Sequence, residues 1–144
     1  MKSGMPGGRI KSILRYVLAF FFIVAGVNHF LMPEWYLQNQ MPPWIPFPMA
    51  VLYVSGIAEI LGGIGLLVPQ VRLLAAWGLV ALLIAVFPGN IHMASMAMRS
   101  GGLFGDTIGL LLRLPLQAVF IVAILWVSRE SDPRLADAED QRGS

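Results

Sequence analysis

The sequence contains no cysteine, and only 12% of its 144 residues are charged. The first absence removes thiol nucleophiles, thiolate zinc sites, disulfide exchange and cysteine-held iron–sulfur clusters together. It also leaves the redox compartment unreadable from disulfide usage. The second absence is larger than it looks, because an average soluble domain is about 25% charged. A soluble fold this short keeps much of its surface in water and needs charge to cover it. Hydrophobic residues reach 57% instead, which points to lipid as the solvent. Basic runs interleaved with aromatics are missing as well, so nothing indicates a nucleic-acid partner. No internal repeat is apparent, which counts against the common transporter architectures.

What the sequence does have is long apolar stretches. Residues 1–12 are Gly-rich and basic, with Lys2, Arg9 and Lys11, and an apolar run follows over about 13–30. Its length approaches the roughly 20 residues that cross a bilayer, and no small-x-small cleavage site ends it, so an uncleaved span is expected. A second span is expected over about 49–68, closed by the turn Pro69-Gln70-Val71-Arg72. A third runs over about 72–95, kinked at Pro88 and extending towards Met98. The fourth covers about 107–127, its start lying somewhere between Gly105 and Pro115. Between the first two spans, the closely spaced Pro42, Pro43, Pro46 and Pro48 exclude a continuous helix. Trp35, Tyr36 and Trp44 place that segment in the headgroup zone. Residues 129–144 are polar and charged, and are expected to form a disordered tail. The fold expected is an all-α, integral membrane four-helix bundle with its domain over 13–128.

Charge sets the expected orientation. Lys2, Arg9, Lys11, Arg15, Arg72, Arg129, Arg134 and Arg142 share one side of a four-span chain, eight of the ten basic residues. Arg99 and Arg113 are on the other side. The positive-inside rule therefore puts both termini in the cytoplasm. Trp35 and Trp44 then fall at the outer interface, and Trp77 and Trp126 near the inner one.

Ionisable groups inside spans are costly, so each calls for a function or a buried partner. Glu59 falls near the middle of the second span, where it must either be protonated or meet a donor. Ser55, Gly56, Gly62 and Gly63 surround it at helical spacing and would let another helix come close, so it is expected to face the bundle. A plain hydrogen bond between helices is the rival reading. The other polar residues share a depth: Asn28 and His29 end the first span, Asn90 and His92 the third, and Arg113 and Gln117 open the fourth. Together with Ser55 they would surround one outward-facing pocket with Glu59 at its floor. Glu59 and His29 are the candidates for proton exchange.

Other chemistries fit less well. Two histidines on different helices could ligate a haem axially, but a bonded interfacial histidine is the simpler reading of each. His92, Met93, Met96 and Met98 offer soft ligands for Cu(I), though a Met-rich turn facing lipid explains them as well, and no metal site is assigned. Ser55 with His29 could form a nucleophile and base. Asp106, the one outer aspartate available to orient the histidine, falls in a loop, which argues against a triad.

Several segments carry a resemblance. Ala25-Gly26-Val27-Asn28-His29-Phe30, then Pro43-Trp44-Ile45-Pro46, then Ser55-Gly56-Ile57-Ala58-Glu59 come in that order. Phe87-Pro88-Gly89-Asn90-Ile91-His92 and Arg113-Leu114-Pro115-Leu116-Gln117 follow. This ordered set resembles the DoxX family of small bacterial membrane proteins, over roughly residues 13–128. The resemblance implies a four-helix fold in the bacterial inner membrane and a link to quinone-dependent oxidoreductases or oxidative-stress complexes. It brings no catalytic mechanism. The functional expectation is a membrane subunit that binds quinone or another small lipophilic, redox-active molecule, with His29 and Arg113 on its oxygens. The alternatives are a non-catalytic module that assembles a protein partner or a homo-oligomer, and a proton-linked carrier of a small solute.

Overall fold

A computed structural model describes residues 6–99 and 106–129. They form five helices: α1 (Pro6–Leu31), α2 (Pro33–Asn39), α3 (Pro48–Leu67), α4 (Arg72–Arg99) and α5 (Asp106–Ser128). All but α2 are long and apolar enough to cross a membrane. At 1.5 Å per residue, even the 20 residues of α3 cover the roughly 30 Å of a hydrocarbon layer. Most of the expected tail lies outside the described residues.

The helices begin and end for local reasons. Prolines stand at the starts of α2 and α3, where a missing N–H costs no helical bond. Phe47, just before α3, takes a left-handed conformation with φ of 51°, unusual for a bulky residue and strained before a proline. α1 starts at Pro6, earlier than the apolar run, because its extra turns are anchored. Arg15 Nη2 and Nε donate to the Val127 carbonyl at 2.9 and 3.2 Å, and Lys11 Nζ donates to the Arg129 carbonyl. Both cations therefore serve carbonyls at the end of α5. Arg72 does the same for α3, donating through Nε to the Leu66 carbonyl at 2.9 Å. Cations are favoured at helix C-termini, where carbonyls lack intrahelical partners.

α5 starts at Asp106 and runs through Pro115, so Asp106 is the first residue of a helix and not part of a loop. A proline removes one N–H, and the rest of the helical ladder carries the helix past it.

The four long helices form a ring in the order α1, α3, α4, α5, each antiparallel to its neighbours. Gly63 of α3 meets Ala19 of α1, and Gly56 meets Gly26. On another face of α3, Gly65 meets Ala75 of α4 and Gly62 meets Leu79. The α1–α3 approach is the tightest. A Cβ on Gly26 would sit 2.5 Å from the Gly56 carbonyl oxygen, and one on Gly63 would sit 2.8 Å from that of Ala19. Only residues without a side chain allow such backbone contact.

The apolar core fills one half of the ring. Leu18 and Phe22 of α1, Leu66 of α3, Leu79 of α4, and Ile124 and Val127 of α5 pack there. The other half, where α1 ends and α3 begins, is crossed by a chain of amides. Gln40 Nε2 donates to Asn90 Oδ1 at 3.2 Å, and Asn90 Nδ2 donates to Gln117 Oε1 at 2.9 Å. Gln117 Nε2 donates in turn to the Leu83 carbonyl. Pro88 lies near this turn of α4, and its missing N–H falls opposite the Ile84 carbonyl, one residue beyond the Leu83 carbonyl that Gln117 engages.

Two predictions follow from the packing. Gly26→Ala should destabilise the fold by about 1–3 kcal/mol, the usual cost of overpacking. Gly78→Ala, where nothing lies within 4 Å, should change it by less than about 0.5 kcal/mol. Thermal melting of the two purified variants separates them, and equal losses would refute the close-contact account. Gln117→Leu should cost about 1–3 kcal/mol by stranding its half-buried partners, Asn90 and the Leu83 carbonyl. In a double-mutant cycle with Asn90→Leu, the two losses should fall short of adding.

Candidate functional site

Gly26 and Gly56 bring α1 and α3 together one turn from His29, and that approach positions the ring. The His29 side chain is buried against α3, and its Nδ1 lies 3.1 Å from the Leu52 carbonyl oxygen. A carbonyl can only accept, so Nδ1 carries the hydrogen. Nε2 then faces Glu59, 3.7 Å from Oε2. That distance suits an ion pair and is too long for a direct hydrogen bond. Glu59 Oε2 is buried and has no hydrogen-bond partner among the described residues.

The geometry suits a pair that shares one proton. With Nδ1–H committed to Leu52, a neutral imidazole offers Nε2 only as an acceptor. A protonated Glu59 complements it, and so does a carboxylate facing the imidazolium. One proton serves both arrangements, and moving it between them changes which group can donate.

Tyr36 of α2 covers the other side of the imidazole, the ring centroids 4.4 Å apart. Burial holds its phenol above the ordinary range; the Glu59 carboxylate adds to the shift and Arg113 opposes it. Tyr36 therefore stays a hydroxyl and can donate.

These rings border a half-enclosed cavity of about 180 Å³ between α3 and α4. His29, Leu52 and Ser55 line its inner side. α2 and the turn after it form the roof, through Tyr36, Gln40, Pro42 and Ile45. Pro42 is fully buried there. The wall is overwhelmingly apolar, with a few polar groups placed at one side, the usual make-up of a small-molecule site.

The eight residues expected to share one pocket separate into groups. His29 and Ser55 line the cavity, and Glu59 adjoins it through His29. Asn90 and Gln117 belong to the amide chain that holds the roof through Gln40. Arg113 is exposed, with Nη1 4.0 Å from Met93 Sδ, and is absent from the wall. Asn28 and His92 are half-buried and also lie off it. Depth along a helix places residues at one level, but rotation about the helix axis decides which of them meet.

Tyr36, Gln40 and Pro42 were missed by sequence reasoning, which treated their segment as an interfacial anchor. The one signal for Tyr36 is chemical, an aromatic hydroxyl close after His29 in the sequence; helical spacing gives none, because the helix breaks at Met32 between them. Nothing comparable marks the Leu52 carbonyl, because backbone groups have no sequence signature.

No curated protein and no solved structure matches the chain. A family described as a domain of unknown function, DUF8561, matches residues 18–128, which take in the second half of α1, the whole of α3, α4 and α5, and the cavity. The chain belongs to the DUF8561 family.

Proposed function

We propose that this chain is a multi-pass protein of the bacterial inner membrane, both termini cytoplasmic, that binds a quinone or similar lipophilic ring molecule and exchanges a proton with it. Phe20, Leu74 and Val122 are 72%, 75% and 68% exposed on three different helices, faces that suit acyl chains better than water. The basic residues cluster at the end of the bundle opposite the cavity, which supports an outward-facing site. The likeness to DoxX proteins supports a quinone-linked role in oxidoreductase or oxidative-stress chemistry.

The observation that carries the reading is the His29–Glu59 pair beside the cavity. A residue kept only to join helices would satisfy its buried oxygen, since an unpaired polar atom in hydrocarbon costs several kcal/mol. Glu59 Oε2 instead has no hydrogen bond among the described residues and faces the ring nitrogen of His29 that Leu52 does not engage. Ligand oxygens would meet Nε2 of His29 and the hydroxyls of Ser55 and Tyr36, and Arg113, exposed and off the wall, would not reach them. Full reduction of a quinone takes two electrons and two protons. This chain supplies binding and one proton held by the His29–Glu59 pair, a partner oxidoreductase subunit would supply both electrons, and the second proton would come from water.

The packed core beneath the site favours binding over passage, because Leu66, Leu79 and Ile124 close the ring where a solute would have to leave. The expected result is that protein purified in mild detergent retains a quinone detectable by mass spectrometry. His29→Ala and Glu59→Gln should each lower its occupancy at least tenfold, with melting temperatures within a few degrees of the parent. If no small molecule co-purifies and the variants alter melting alone, a structural module is left standing and the binding reading fails.

A further inference from the structure

We infer that the cavity is loaded sideways from the bilayer through the gap between α3 and α4, and that its occupant is a tailed amphiphile whose ring enters while its chain stays in that gap. The inference rests on the binding reading above and adds the route and the shape of the ligand.

The first support is the register of the two helices. Gly65 meets Ala75 and Gly62 meets Leu79, so the antiparallel pairing sets Ser55 opposite Val86 two turns further on. Both residues line the cavity. The empty space therefore stands where the helix–helix contact would have continued, and the two helices part at that level.

The rim gives the second support. Trp44, Val51, Ala85 and Pro88 all border the cavity, and all four are also exposed on the outside of the bundle. Every one is apolar, and Val51, Ala85 and Pro88 belong to the two helices flanking the gap. The polar lining residues lie elsewhere, on the roof and the inner side. An opening edged by apolar side chains on outward helix faces meets acyl chains, not water.

The third support is size. Engineered apolar cavities of about 150 Å³ take up benzene, so about 180 Å³ accepts one substituted ring and little more. A lipophilic molecule large enough to stay in the membrane must leave most of itself outside. With the roof formed by buried Pro42 and its neighbours, the gap is the direction in which a chain can run.

Two probes test this on the full-length protein in detergent: a benzoquinone carrying a decyl chain, and the same ring with a methyl group instead. Ala85→Trp, which places a large ring on the rim, should weaken the decyl probe at least tenfold and leave the methyl probe within about twofold. Val122→Trp, on the outer face of α5, should affect neither. A decyl probe with a photoreactive group at its chain end adds a readout that does not depend on a variant folding. Its label should fall on outward residues of α3 and α4. Labelling of the roof residues 36–42, or equal loss of both probes in Ala85→Trp, would overturn lateral loading while leaving the site itself intact. If the parent binds neither probe, the binding reading falls and lateral loading falls with it.

Discussion

Backbone contact between α1 and α3 is the constraint on which the rest depends. Where Gly26 faces Gly56, one helix lies against the carbonyl oxygens of the other with no side chain between them. That closeness lets an imidazole on α1 reach a main-chain carbonyl of α3 while remaining within 3.7 Å of a carboxylate from the same helix. A separation wider by one methyl group would take His29 out of reach of the Leu52 carbonyl and further from Glu59. The polar pair thus follows from the glycines, although the glycines have no chemistry of their own.

The same helix divides the molecule into two halves of different character. Towards the C-terminus of α3 the ring is filled by large apolar side chains, several with no measurable exposure. Towards its N-terminus, amides, a histidine and a cavity take their place, and cross-links replace close packing. The amide chain joins three elements, the end of α2, the C-terminal half of α4 and the middle of α5. Directional bonds hold the end in which a ligand would need room, and non-directional packing holds the end in which it would not.

Much of this architecture is readable in the residues, and the limits of that reading have physical causes. Four helices long and apolar enough to cross a membrane follow from run length alone. That Glu59 faces a neighbouring helix follows from the small residues three and four positions away. Periodicity, however, reports hydrophobicity and not hydrogen bonding, so α1 was expected to begin near residue 13 although Lys11 and Arg15 hold further turns in place. The start of α5 was open for the same reason, since Pro115 reads as a break although a helix in apolar surroundings continues through it. The site divided because level in the bundle does not fix azimuth. Asn90 and His92 are two residues apart, about 200° around a helix, and no straight-on view along the sequence shows that only one of them turns towards Gln117.

Lys11, Arg15 and Arg72 close the carbonyl ends of α5 and α3, and they are also among the charges whose distribution orients a membrane chain. If the proposed orientation holds, charges that help to direct insertion and charges that seal helix ends coincide in these three side chains. Neither property can be altered there alone: moving one of these charges to reverse the topology would unseal a helix terminus in the same stroke.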